Sequence, residues 1–330
     1  MIRERFIIDG VPVAIKQYLR LTSLLPGEAW VSMRRRSMRA NHYESLSIHD
    51  SPARHLLKRL KLWDNLDHPT KAETYRILSG LSQIEMIDIY RSTLHVFAVV
   101  STQPPYPREP IVLKDGKSYP LLTRLEGTYK ANVYSYVKYC PDCLGEQPYF
   151  RLIWIPAATS MCLKHSCLLV DNCQFCATTV SVDDVVSGRC HYCRVELSGK
   201  PSLRVYDEIC FNSQQLIQSI FMNRVPANGK HKLPTSEAYV LYHLLEGIKT
   251  LVQHVAFRGT YIHSPTEISP HFHSGITETL LLYATAYKVV INWPESFTEF
   301  QAEYPKNYGR SLARDIQYDF DRVYRWIELI

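Results

Sequence analysis

The sequence predicts a mainly α-helical protein interrupted by small, cysteine-built ribbons. Helical spacing of apolar residues dominates both ends of the chain. Between them, eight of the nine cysteines crowd into the stretch from Cys140 to Cys193. The composition, 46% hydrophobic and 21% charged, is that of a folded chain. At 330 residues the chain exceeds one small domain, and three parts are expected. These are a helix-turn-helix-like N-terminal domain with a short extension over 1–135, a tandem ribbon region over 136–200 and a helical domain over 201–330.

The N-terminal part opens with Phe6-Ile7-Ile8, then Asp9-Gly10, then Val11-Pro12-Val13, a hairpin signal in which Pro12 restricts the second strand to an edge. After Pro26-Gly27-Glu28, the residues Trp30, Met33, Ser37 and Ala40 share one helical face. Leu56, Leu60 and Trp63 repeat at i, i+4, i+7. A helix over 71–79 should break at Gly80-Leu81. A second should start at Ser82, where Ser82-Gln83-Ile84-Glu85 reads as a capping box. That helix pair resembles a helix-turn-helix, with 82–92 as its groove-reading helix. Gln103-Pro104-Pro105-Tyr106-Pro107 and Lys114-Asp115-Gly116-Lys117 mark a linker. Beyond residue 200, Thr235 or Ser236 caps a helix carrying Leu241, Leu245, Ile248, Val252 and Val255. Ile276 to Ile291 forms another, ended by Asn292-Trp293-Pro294, and Trp326 to Ile330 is again helical.

Charge is uneven. From Val31 to Leu62, eight Lys/Arg face only Glu44 and Asp50, a local excess equal to the whole chain's +6. Arg34, Arg35, Arg36, Arg39, Lys58 and Arg59 are the candidate contacts to DNA or RNA phosphate, although a solvated helix face would carry the same charges. No apolar run approaches the ~18 residues of a membrane span, and no signal-peptide core follows Met1. A cytoplasmic location is expected, and there clustered thiols read as metal ligands before disulfides.

The cysteine spacing is the most specific signal. Cys140-Pro141-Asp142-Cys143 is followed by Cys162-Leu163-Lys164-His165, then Cys173-Gln174-Phe175-Cys176 and Cys190-His191-Tyr192-Cys193. Two residues between ligands let one tight turn aim both side chains at one ion, and two such turns complete a tetrahedron. Soft thiolates with one imidazole select zinc. Two structural Zn2+ ions are expected: one on Cys140, Cys143, Cys162 and His165, the other on Cys173, Cys176, Cys190 and Cys193, with a crossed pairing, or Cys167 in place of His165, as the alternatives. Four protein ligands leave no position for water, so a zinc enzyme is disfavoured. No GxxxxGK[ST], HExxH or GxSxG occurs. Asp183-Asp184 reads as a loop carboxylate pair, Cys167 as an odd thiol near the first site, and Cys210 as buried and inert. His263, His271 and His273 read as part of a Pro-rich surface loop.

These residues resemble a known signature. Tyr139-Cys140-Pro141-Asp142-Cys143-Leu144, Tyr149 with Arg151, Trp154 and Cys162-Leu163-Lys164-His165 with Leu168 are similar to the TniQ/TnsD family motif. Leu25-Pro26-Gly27-Glu28-Ala29-Trp30 resembles the element that opens the family's helical N-terminal domain. Gly80-Leu81-Ser82 and the segment 284–300 resemble its later turns and helices. The resemblance implies a non-enzymatic adaptor, acting at the bacterial nucleoid. It would link a target-recognition module, here an RNA-guided CRISPR effector complex with its guide RNA, to the AAA+ ATPase TnsC on target DNA. A homodimer is compatible with that role. The alternative is a TnsD-like or regulator-type zinc protein that reads a DNA sequence itself.

Overall fold

A computed structural model describes residues 3–8, 11–16, 22–101, 109–122, 137–222, 240–249, 275–292 and 295–302. The expected linker motif at 103–107, the cap at Thr235 or Ser236, the histidines 263, 271 and 273, and the segment 326–330 lie outside them. Helix dominates, and the described strands form three two-stranded antiparallel sheets. Strands β1 (Arg3–Ile8) and β2 (Val11–Lys16) pair with Ile8 opposite Val11, the hairpin that Asp9-Gly10 predicts.

Five helices then build the N-terminal unit: α1 (Trp30–Ala40), α2 (Leu46–His49), α3 (Ser51–Arg59), α4 (Ala72–Ser82) and α5 (Met86–Arg91). Trp30 and Met33 of α1, Leu56 and Leu57 of α3, Tyr75, Leu78 and Leu81 of α4 and Ile89 of α5 share one core. The indole of Trp30 donates to the Leu66 carbonyl at 2.9 Å, which ties α1 to the loop after α3. The short strands β3 (Ile111–Val112) and β4 (Ser118–Tyr119) close this core through Ile111, with Leu113 and Leu121.

Two local expectations fail for reasons visible in the backbone. Helix α4 runs through Gly80-Leu81 and ends at Ser82, because Gln83 takes a left-handed φ of 57°. Ser82 then donates back to the Leu78 carbonyl at 2.7 Å, so it closes one helix and caps no other. Helix α3 ends earlier than its apolar period. Leu62 N donates to Leu57 O at 2.8 Å and Lys61 N to Lys58 O at 3.1 Å, while Lys61 sits at φ 54°. This is a Schellman turn with lysine where glycine is usual. It keeps Leu60 and Leu62 against the core and leaves Trp63 83% exposed.

A buried ion cluster braces the unit. Arg34 is 2% exposed and pairs with both Asp50 and Asp67. Burial pushes the Asp50 carboxyl up. The hydrogen bond from His49 (Nδ1 to Oδ1, 3.3 Å) and the Arg34 guanidinium outweigh that and hold it below the ordinary carboxylate value. Position 34 belongs to the stripe 30, 33, 34, 37, which explains why this arginine points inward.

A larger core draws on all three parts of the chain. Leu94, Phe97 and Ala98 meet Tyr139, Trp154 and Leu169, and then the C-terminal helices. The Phe221 ring packs edge-on against Phe97 at 5.3 Å and against Tyr242 at 5.1 Å. Phe221 ends the helix Glu208–Phe221, which Asp207 caps by accepting from Cys210 N at 2.8 Å. That helix lies against Gly275–Ile291, and Glu295–Ala302 follows.

Two outcomes follow from these contacts. Arg34→Met strips the partner from two carboxylates, one of them buried, and should cost about 3–5 kcal/mol in urea unfolding; adding Asp50→Leu should recover part of that loss. His95 is the second case: burial, then neighbouring His68, push its imidazole down to about 4. The folded state therefore refuses a proton that the unfolded chain accepts below about pH 6.5, so stability is lost as pH falls from there towards 4. The stability gap between wild type and His95→Gln should shrink across that window. A gap independent of pH in parallel urea titrations would contradict this assignment.

Candidate metal centres and the basic segment

The first cluster is assembled from two short pieces. Cys140 precedes the helix Pro141–Glu146, with Pro141 in its first turn, and Cys143 lies one turn on. Facing them is the hairpin of β5 (Met161–Cys162) and β6 (Cys167–Leu168), in which Cys162 pairs with Cys167. His165 Nδ1 lies 3.4 Å from Cys140 Sγ, 3.3 Å from Cys143 Sγ and 3.7 Å from Cys162 Sγ, and Cys143 and Cys162 are 3.7 Å apart. Sulfurs at ~2.3 Å from one ion in a tetrahedron stand roughly 3.8 Å apart, so these separations fit. His165 turns Nε2 to Glu146 Oε1 at 3.1 Å. That contact orients the ring and leaves Nδ1 for the cluster.

Buried Lys138 donates to the carbonyls of Pro156 (2.7 Å) and Thr159, which fixes the turn leading into β5. Cys167 lies beside the first cluster, as its sequence position suggests: its Sγ is 3.5 Å from that of Cys140. Crowding divides the protons unevenly. Hydrogen bonds from Cys140 and Cys143 drive the Cys162 thiol far down, while Cys143 is pushed far up.

The second cluster is two copies of one turn. In each, the first cysteine's N–H donates to a carbonyl five residues on, Cys173 to Thr178 at 2.8 Å and Cys190 to Val195 at 3.0 Å. In each, the residue after the second cysteine is left-handed, Ala177 at φ 59° and Arg194 at φ 63°. The turns face each other crosswise, Cys173 to Cys193 at 3.6 Å and Cys176 to Cys190 at 3.7 Å. Hydrogen bonding with the Thr178 side chain and backbone pulls the Cys176 thiol down to about 6. Each set of four places its ligand atoms within 4.8 Å of one another, an arrangement that could bind metal and is consistent with zinc.

Asp183 and Asp184 are helical. They open the helix Val182–Ser187 that joins the two turns. Asp184 and Ser181 form a reciprocal cap, and the same carboxylate meets His191 Nδ1 at 2.8 Å. The opposing burial and hydrogen-bond effects leave it below its ordinary value. Asp183 pairs with Arg35 of α1, so the second module is fastened to the N-terminal unit.

The first module is fastened to the same place. Ala29 N donates to Phe150 O at 2.9 Å and Leu152 N to Gly27 O at 2.8 Å; Tyr149 Oη donates to Pro26 O at 3.1 Å. Gly27 reaches this pairing with φ 68°. Glu28, 1% exposed, gathers the joint: its carboxylate accepts from Leu25 N at 3.0 Å, Ser32 Oγ at 2.7 Å and Arg36 Nε at 2.8 Å. Ser32 Oγ in turn accepts from Phe150 N at 3.0 Å. Arg151 lies over the rings of Tyr149 and Trp154.

The basic row divides. Arg34 is sealed in the core and cannot reach a phosphate, which corrects the sequence expectation for that residue. Arg35 and Arg36 are largely covered and committed to Asp183 and Glu28. Arg39, Lys58 and Arg59 remain exposed. Sequence reasoning passed over Arg54 and Lys61 as candidate contacts, placed Trp63 on a core-facing stripe, and missed Glu28 as a joint.

Among the described residues no helix is long and apolar enough to cross a membrane. No curated protein matches the chain. Residues 20–169, which hold the Pro26–Trp30 element, its Tyr149–Leu152 partner and the whole first cluster, match the TniQ family model, so the chain carries a TniQ domain over those residues.

Proposed function

We propose that the protein is a non-enzymatic target-selection adaptor for DNA transposition. It links an RNA-guided CRISPR effector complex to the AAA+ regulator TnsC and so directs insertion of transposon DNA. The TniQ match over the joint between the helical unit and the first cysteine cluster carries the reading. In it, Cys140, Cys143, Cys162 and His165 hold one zinc ion, and Cys173, Cys176, Cys190 and Cys193 a second. Bound zinc supplies rigidity to segments with little apolar core of their own. The protein acts in the cytoplasm, at the nucleoid.

Three observations support an adaptor over an enzyme or a stand-alone regulator. Four protein donors per cluster leave no coordination position for a reacting water. Asp184 is occupied by its cap and by His191, so it is not poised as a base. The helix that would read a major groove, α5, is only six residues long and buries Met86, Ile89 and Tyr90. Its outer side carries exposed Glu85 and half-exposed Asp88, and Asp88 pairs with exposed Arg91 at 3.7 Å, so the helix offers phosphate no net positive face.

Metal analysis of the purified chain should find two zinc ions, falling to one in Cys190→Ser with a clear drop in melting temperature. Unchanged zinc and stability in both Cys140→Ser and Cys190→Ser would sink the two-site reading. A pull-down with the AAA+ regulator should show ATP-dependent capture. If the chain alone instead selects one duplex over random DNA at physiological salt, the sequence-reading alternative replaces the adaptor.

A further inference from the structure

We propose that the exposed end of α3 and the turn after it bind single-stranded DNA, with Trp63 as the base-stacking platform. Four cations line this end. Arg54, Lys58 and Arg59 project to solvent from α3, and Lys61 follows in the left-handed turn. From residue 51 to 63 there is no carboxylate. The nearest acids in sequence are engaged elsewhere. Asp50 and Asp67 hold Arg34, and Asp64 accepts from Thr70 N at 2.9 Å and Lys71 N at 3.0 Å. Among the described residues only a 3.7 Å contact from Asp50 to Arg54 touches the row, and Arg54 remains half exposed.

Charge alone would suit any polyanion. Trp63 narrows the choice. It is the most exposed large hydrophobic side chain among the described residues, at 83%. Its exposure is fixed by the Schellman turn, which holds Lys61 at φ 54° although glycine would adopt that conformation without strain. An open indole face beside a basic row is what an unpaired strand requires: phosphates meet the cations, and a free base meets the ring. In a duplex each base is already stacked, so the indole gains little. DNA is the occupant chosen because the proposed function places the chain at the insertion of transposon DNA; the inference rests on the adaptor reading to that extent.

The test is fluorescence anisotropy of labelled dT20, a 20-base-pair duplex and rU20 with the full chain, repeated over a salt series. Binding of dT20 should exceed that of the duplex and of rU20. Its logarithm should fall with log salt with a slope of roughly 3 for four phosphates. Trp63→Ala should weaken dT20 on the order of tenfold, the range of one stacked base, and leave the slope unchanged. Lys58→Gln with Arg59→Gln should lower the slope by about 1.4. All three side chains are solvent-exposed, and matching melting curves confirm that the variants fold. Indifference of dT20 to Trp63→Ala overturns the proposal. So does duplex or rU20 binding at least as tight as dT20, or Trp63-dependent binding to phosphatidylserine-containing vesicles without dT20 binding. Capture by the AAA+ regulator without DNA is a separate readout, so failure here and failure of the adaptor reading are distinguishable.

Discussion

The carboxylate of Glu28 is the constraint on which the arrangement turns. It is buried, it sits two residues before α1, and it collects donors from its own loop, from Ser32 and from Arg36. A buried carboxylate is costly unless it is paired and hydrogen-bonded, so the surrounding groups must all take up their places together. Through Ser32 and the neighbouring backbone, the same residues pair with Phe150 and Leu152. The helical unit and the first cysteine module therefore share one hydrogen-bonded joint. Arg35 and Asp183 add a second tie to the other module. Helix α1 is thus the common bracket for both clusters.

Much of the cysteine clustering was legible because its geometry is local. A CxxC turn needs only a few residues to aim two sulfurs, and the sequence carries those residues together. The crosswise pairing of Cys173 with Cys193 and Cys176 with Cys190 needs the helix between the turns, which the sequence reading took for a loop. The Ser181 and Asp184 cap was present as a signal, three residues apart, and could have revealed that helix. Cys167 was legible as a thiol near the first cluster, but its close approach to Cys140 depends on the hairpin register that sets it opposite Cys162.

The charged row was less legible, for a physical reason. Lysine and arginine declare their charge but not their partner. Arg34 finds Asp67 and Asp50, 33 and 16 residues away, and Arg35 finds Asp183 at a separation of 148. Periodicity held part of the answer, since position 34 falls on the apolar stripe of α1. Periodicity misled at Trp63, where a left-handed lysine ends the helix before the pattern does. Backbone caps of this kind override side-chain spacing, and no glycine announces this one.

The joint at Glu28 also sets an order of events during synthesis. Ser32 and Phe150 are 118 residues apart, and Pro26 and Tyr149 are 123. At the ribosome's pace of about 5–20 residues per second, α1 waits roughly 6–25 s for the strand that completes it. Through that interval the helical unit can close its own core around Trp30 and Leu66, but Gly27, Ala29 and Ser32 still lack their partners. The nascent N-terminus is therefore finished only when the cysteines of the first cluster are emerging behind it.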